Sequence, residues 1–191
     1  RVYSPSTRYA DLARWALEYR DGKTLSKLDL PRTSAFRAFP EAQESDYAET
    51  FSAAPAFAVR TTGIAADDAR IRFFEKKMRK HGFAFTADAP YAVEVVKRPD
   101  APVARSEGYS LVTTAKGARI EARDAQGVLW GLVTLIQIAD PAKKAVRCAK
   151  IRDWPDLARR GYLGAYWTDC AEFTVMFKMN TVVHQRHPEF L

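Results

Sequence analysis

The run from Asp124 to Ile138 sets the tightest limit on how this chain can fold, because it is apolar along one face and carries two glycines four residues apart. Asp124 suits the start of a helix, and Val128, Leu132, Leu135 and Ile136 recur at helical spacing. Gly127 and Gly131 leave out side chains where the helix backbone would otherwise press on its neighbour. Such a helix needs a sheet to lie on. Its most apolar part, Val128 to Ala139, is interrupted by Gly131, Thr134 and Gln137, and it is the longest apolar stretch in the chain, so no membrane span is expected.

The sheet is supplied by β-rich runs at Phe83 to Thr86, Tyr91 to Lys97, Tyr109 to Thr114 and Ala118 to Arg123, with Lys116-Gly117 placed to turn the last two into a hairpin. A strand at Ala56 to Thr61 and a helix over Ala65 to His81 precede them. In that helix Ile71, Phe74 and Met78 share a face, Asp67 and Asp68 stand in the first turn, and Gly82 ends it. A strand at Ala145 to Ala149 closes the unit. The fold class read from this order is α+β, a mixed or antiparallel sheet with two helices on one face.

Flanking segments divide the chain into three parts. Residues 1–55 hold a helix over Thr7 to Arg20 and a polar, proline-marked segment from Asp21 to Pro55, read as an irregular wrapping stretch. Residues 56–150 are the α+β domain. Residues 151–191 open with the connector Arg152-Asp153-Trp154-Pro155-Asp156, followed by a strand at Gly161 to Trp167, a helix around Glu172 to Lys178 and a strand at Thr181 to His184. That β-α-β order suits the first elements of an incomplete (β/α)8 barrel.

Charge and motif content narrow the function. Lysine and arginine number 30 against 23 acidic residues, a formal +7, but the basic residues are scattered, in tracts no longer than pairs such as Lys143-Lys144 and Arg159-Arg160, so nucleic acid is not expected as a partner. Cys148 and Cys170 form no CxxC pair, which excludes a cysteine-rich zinc site and leaves a single disulfide between them open. No phosphate loop, dinucleotide fingerprint or GxSxG elbow occurs, and no cofactor is expected. His184 and His187 stand three apart with Glu189 beyond, but Pro188 breaks any helix that would align them, so no metal site is expected. The N-terminus, Arg1 to Pro5, has no apolar leader core, which fits either a cytoplasmic protein or one whose leader has been removed.

The residues Glu107, Gly108, Tyr109, Leu111, Gly117, Ile120, Ala122, Asp124, Gly127, Gly131, Leu132, Thr134, Leu135 and Gln137, followed by Ile151, Asp153, Pro155, Arg160, Gly161 and the run Lys178-Met179-Asn180-Thr181, stand in a register that resembles the N-terminal part of β-N-acetylhexosaminidases, glycoside hydrolases of family 20, with family 84 as a relative. The resemblance implies a zincin-like, non-catalytic domain in front of a barrel that carries the chemistry. Terminal N-acetylhexosamine residues would be the substrate, with the sugar's own acetamido oxygen as nucleophile. The paired carboxylates would then lie beyond Leu191, and none of the acidic residues here fits a catalytic pair. The resemblance also implies a carbohydrate partner reached through the parent enzyme, packing against the barrel, and a secreted or periplasmic setting.

Three residues are candidates for substrate binding. By the resemblance Arg160 would end the first barrel strand and donate to sugar hydroxyls; the alternative is pairing with Asp153 or Asp156 to pin the connector. Trp167, at a strand end, can stack on a pyranose face, and His184 falls near the end of the second barrel strand. After Gly161 the run Tyr162 to Trp167 departs from family 20, which marks a divergent relative. A second reading is a free-standing module that binds a glycan or a protein partner without catalysis.

Overall fold

The computed structural model describes residues 36–164 and 170–184, within a unit that begins at Phe36. The helix expected over Thr7 to Arg20 lies outside the described residues, as do Trp167, His187 and Glu189. In chain order the elements are β1 (Glu44–Ala53), β2 (Ala56–Thr62), α1 (Ala69–Lys80), β3 (Ala84–Phe85), β4 (Tyr91–Lys97), β5 (Tyr109–Thr114) and β6 (Gly117–Ala122). They continue as α2 (Ala125–Gln137), β7 (Ala139–Asp140), β8 (Ala145–Asp153), β9 (Gly161–Gly164), α3 (Cys170–Met176) and β10 (Thr181–His184). No helix among the described residues is long and apolar enough to cross a membrane.

The first eight strands form one mixed sheet in the order β1-β8-β5-β6-β4-β2-β3, with β7 pairing β8. The pairs β6/β4, β4/β2 and β2/β3 are parallel, and β1/β8, β8/β5, β5/β6 and β7/β8 are antiparallel. The α+β class and the mixed sheet expected from the sequence are therefore present. Strands β9 and β10 make a separate parallel pair on either side of α3, with Thr181 to His184 in register with Gly161 to Gly164.

Local differences from the sequence reading have plain causes. Residues 44–53, read as irregular, form the ten-residue strand β1, because β8 offers a partner edge that spacing along the chain cannot reveal. Strand β8 runs on to Asp153, through the start of the expected connector, since Ile151 and Asp153 pair with Leu111 and Tyr109 on β5. The β5–β6 turn falls on Ala115-Lys116, one residue before the expected place, with Thr114 opposite Gly117. Helix α1 starts at Ala69 because Asp68 caps it, accepting a hydrogen bond from the Arg70 N–H at 2.9 Å.

The core lies between the sheet and the two long helices. Phe57, Val93, Val95, Leu111 and Ile120 from the strands meet Ile71, Phe74 and Met78 from α1 and Val128, Leu132 and Leu135 from α2, all fully buried. Phe57 is the centre of an aromatic cluster, with Phe83 at 5.2 Å, Phe85 and Tyr91 at 5.6 Å and Phe74 at 6.1 Å between ring centroids.

The two glycines of α2 are there because the helix sits directly on β5 and β6. A Cβ on Gly131 would stand 2.6 Å from Ile120 Cγ2, and one on Gly127 would stand 3.0 Å from Ala122 Cβ and run into the Gly108 carbonyl oxygen. Two opposed effects meet in Gly127→Ala. The helix gains about 1 kcal/mol in propensity, whereas overpacking costs about 1–3 kcal/mol and more where the obstacle is backbone that cannot rotate away. The clash wins, so Gly127→Ala should lower the urea midpoint of unfolding; an unchanged or higher midpoint would show that α2 can lift off the sheet at little cost.

Candidate functional site

The polar residues of the sequence motifs, which lie far apart along the chain, meet where the sheet carries the β9-α3-β10 unit. Asp124 begins the assembly. Its Oδ1 caps α2 by accepting from Gly127 N–H at 2.7 Å, and its Oδ2 accepts from Glu107 N–H at 2.8 Å. The second bond helps hold Glu107 in the left-handed backbone region, at φ 59°, which a residue with a Cβ seldom adopts. So placed, the Glu107 carboxylate accepts from Trp130 Nε1 at 2.9 Å, from Asn180 Nδ2 at 3.1 Å and from Arg160 Nη2.

Arg160 therefore pairs with Glu107, and neither Asp153 nor Asp156 is its partner. Its Nε donates to the Lys178 carbonyl at 3.0 Å, its Nη1 to the Leu157 carbonyl at 2.6 Å, and its guanidinium carbon lies 5.9 Å from the centre of the Trp130 ring. Only 19% of the Arg160 side chain and 17% of Glu107 are exposed, so this pair is held largely out of water. Asn180 completes the clasp by accepting from Arg160 N–H at 3.0 Å and donating to the Ala158 carbonyl at 2.8 Å.

A second, deeper cluster lies beside the first. Lys178 Nζ donates to Asp153 Oδ2 at 2.7 Å and to Tyr109 OH at 2.9 Å, and the Tyr109 hydroxyl also meets Thr134 Oγ1 at 2.5 Å and Asp153 Oδ2 at 3.1 Å. Lys178 reaches this place because it ends α3 in the left-handed region, at φ 54°. Its N–H bonds to Val175 O at 3.0 Å and Met179 N–H bonds to Thr174 O at 2.9 Å, the paired bonds of a helix C-terminus that usually has glycine here. The chain puts lysine there and gains a buried partner for Asp153. At the rim, Gln137 accepts from Phe39 N–H at 2.9 Å and donates to the carbonyls of Phe39, at 2.6 Å, and Met176, at 2.9 Å.

Electrostatics follow from this geometry. Burial alone would raise the Glu107 carboxyl, but hydrogen bonds from Trp130, Arg160 and Asn180 and the charge of Arg160 outweigh it and hold the group below its ordinary 4.5. Burial lowers Lys178, opposed by the charge and hydrogen bond of Asp153, and burial with the Asp153 charge raises Tyr109 well above its usual range. A carboxylate whose folded pKa is depressed contributes stability that is full above the unfolded value and drains as pH falls through the folded one. Between pH 4.5 and the lower folded pKa, stability should therefore fall on acidification by an amount that Glu107→Gln removes. Thermal melts of both proteins across that range check this; parallel acid slopes would count against it.

The clasp borders a cleft of about 230 Å³ lined by Gln43, Glu107, Asp153, Trp154, Arg160 and Lys178 among others. Of the sequence candidates, the structure places Arg160 on this cleft and gives it protein acceptors. His184 ends β10 opposite Gly164. Cys148 carries a free thiol whose Sγ lies 3.3 Å from Ser52 Oγ. Sequence reasoning noted Tyr109, Lys178 and Asn180 only as motif positions, Thr134 and Gln137 also as breaks in an apolar run, and Asp153 as a possible partner of Arg160. The available signal was Thr134 and Gln137, polar residues set in an otherwise apolar helix run.

An α+β sheet domain is joined to a parallel β-α-β unit through two buried ion pairs. The chain belongs to glycosyl hydrolase family 20, domain 2, whose family model matches residues 37–154. Among solved structures, it resembles the β-N-acetylhexosaminidase from Bacteroides fragilis, at 17% identity and a TM-score of 0.63, over 78% of this chain and 32% of that one. An inactive mutant of the exo β-N-acetylglucosaminidase from Vibrio harveyi is similar at 18% identity and TM-score 0.63, over 78% and 25%. CpGH84B is similar at 16% identity and TM-score 0.64, over 81% and 30%. The likeness is one of fold, and this chain spans a third or less of the length of each of these structures. No curated protein sequence matches it.

Proposed function

We propose that this chain is the N-terminal accessory part of a glycoside hydrolase that removes terminal N-acetylhexosamine residues, with the catalytic carboxylates beyond Leu191. In this reading residues 56–150, joined by strand β1 from the preceding segment, form a zincin-like domain, and residues 151–191 open a (β/α)8 barrel. The observation that carries the proposal is the double clasp, Glu107 with Arg160 and Asp153 with Lys178, which ties the residues just before β9 and just before β10 to the sheet domain. Taking charges out of water is costly, and two such pairs at one junction fit a role in fixing how the β9-α3-β10 unit is aligned.

The role of this domain would be positional. Arg160, spending three donors on Glu107, Leu157 and Lys178, sets the origin of the first barrel strand and leaves its outer edge toward the cleft. Trp167 and His184 are the proposed sugar contacts, one for a pyranose face and one for a hydroxyl. The test is hydrolysis of an aryl N-acetyl-β-hexosaminide. The protein as encoded past Leu191 should turn it over, and residues 1–191 alone should not. Turnover by residues 1–191 would place the carboxylates within them, and an inert longer protein would remove the substrate assignment.

A further inference from the structure

We propose that the C-terminal end of α1 and the turn between β7 and β8 form a binding surface for an acidic polysaccharide, a glycan bearing sulfate or carboxylate groups. Scattered along the sequence, the basic residues of these two segments are brought together by the fold. Lys76, Arg79, Lys80 and His81 are exposed along the last turns of α1 and its cap, and Lys143 is exposed in the turn. Lys144 Nζ donates to the His81 carbonyl at 2.8 Å, which joins the two segments.

Elsewhere among the described residues, Arg70 pairs with Asp68, Arg98 and Arg119 with Glu121, Arg152 with Glu44, and two further pairs make the clasp, whereas cations without an ion pair, such as Arg60, Lys97, Lys116 and Lys150, stand on separate strands and turns. At this end of the molecule Lys76, Arg79, Lys80 and Lys144 make no ion pair among the described residues. Nearby, Glu75 on α1 is the one acid set against these cations without an ion pair of its own among the described residues, and two other acids are engaged. Glu172 pairs with Lys77, and Asp140 is buried, accepts from the N–H groups of Ala142 and Lys143, and meets Lys143 Nζ only at 3.9 Å. Cations at a helix C-terminus are favoured by the helix dipole. That accounts for the α1 residues but not for a second element bringing more positive charge against them.

The cluster repels itself. Burial first, and then the charges of Lys77, Lys80 and Lys144, hold the His81 imidazole below its usual range, and burial with Lys80 and Lys76 lowers Lys77. A bound anion would relieve this. The surface offers charge without stacking: Phe83 is buried and lies under Lys144 at 5.1 Å, and Phe85 lies under Arg79 at 4.8 Å. Single-stranded nucleic acids need open aromatic faces, which are covered here, whereas an acidic glycan needs only spaced cations. The inference rests on the hydrolase reading only for the choice of a glycan, and binding is measured separately from turnover.

The test titrates the chain with a short heparin oligosaccharide, with uncharged dextran and with a short DNA duplex. Affinity for heparin should fall about 100-fold between about 50 and about 200 mM salt, the dependence expected when roughly four counterions are released. The triple variant Lys76→Gln, Lys80→Gln, Lys143→Gln should bind at least about tenfold more weakly with its melting temperature unchanged, while Lys116→Gln, on the β5–β6 turn, should bind as the parent does. Dextran should not bind. No heparin binding at low salt, a triple variant that binds as the parent does, or a duplex bound as tightly as heparin would each overturn the proposal.

Discussion

Lys178→Gly should destabilise the protein by about 1–3 kcal/mol, although glycine is the residue a helix end of this geometry ordinarily prefers. Relief of the left-handed backbone at φ 54° is worth about 1–2 kcal/mol in favour of the variant. Against it stands the loss of the only cation on Asp153 among the described residues, in a pair where 8% of the lysine and 12% of the aspartate side chain is exposed. Removing one member of a buried pair costs about 3–5 kcal/mol, because the remaining charge stays out of water without a partner. Tyr109 and Gln43 still donate to the carboxylate, at 3.1 and 3.3 Å, which places the net loss toward the lower part of that span.

Urea unfolding of the parent, Lys178→Gly and Asp153→Ala measures this, and amide exchange shows where the loss falls. The β9 and β10 amides should lose protection first, since Lys178 and Arg160 hold that unit to the sheet. A Lys178→Gly protein as stable as the parent would mean that the buried pair contributes nothing beyond the strain it requires.

Trp130→Ala should cost about 3–5 kcal/mol, the usual loss for deleting a buried indole. Trp130 is 2% exposed on α2, and its Nε1–H is one of the donors that keep Glu107 charged. Trp130→Phe separates these roles. It keeps most of the ring volume but leaves one Glu107 acceptor without its donor, for about 1–3 kcal/mol. Because Glu107 is then held less firmly below its ordinary value, the acid-dependent loss of stability should also become smaller in Trp130→Phe. Equal losses in the alanine and phenylalanine variants would rule out a packing role for the ring.

These experiments act on residues whose type was readable in the sequence but whose grouping was not. Helix α2 was legible because its apolar spacing and its two glycines are local facts, and the hairpin and the parallel unit around α3 were legible from alternation and turn chemistry. Strand β1 was missed because Glu44 to Ala53 is half-polar and lacks the alternation of a strand with one dry face; it exists because β8 has an edge to pair. The same limit applied to Arg160. Asp153 and Asp156 are its near neighbours in sequence, yet Glu107, more distant along the chain, is its partner, because Asp124 fixes the Glu107 backbone and the sheet brings β5 beneath the clasp.

The sequence by itself determined the class of the domain, the helices that cover its sheet and the family it resembles, since periodicity and motif register are properties of neighbouring residues. The tertiary structure alone decided which charges meet. Glu107 with Arg160, Asp153 with Lys178, and the convergence of Lys76, Lys80, Lys143 and Lys144 all depend on burial and strand order, which bring distant residues together and make each buried charge stable only beside its partner.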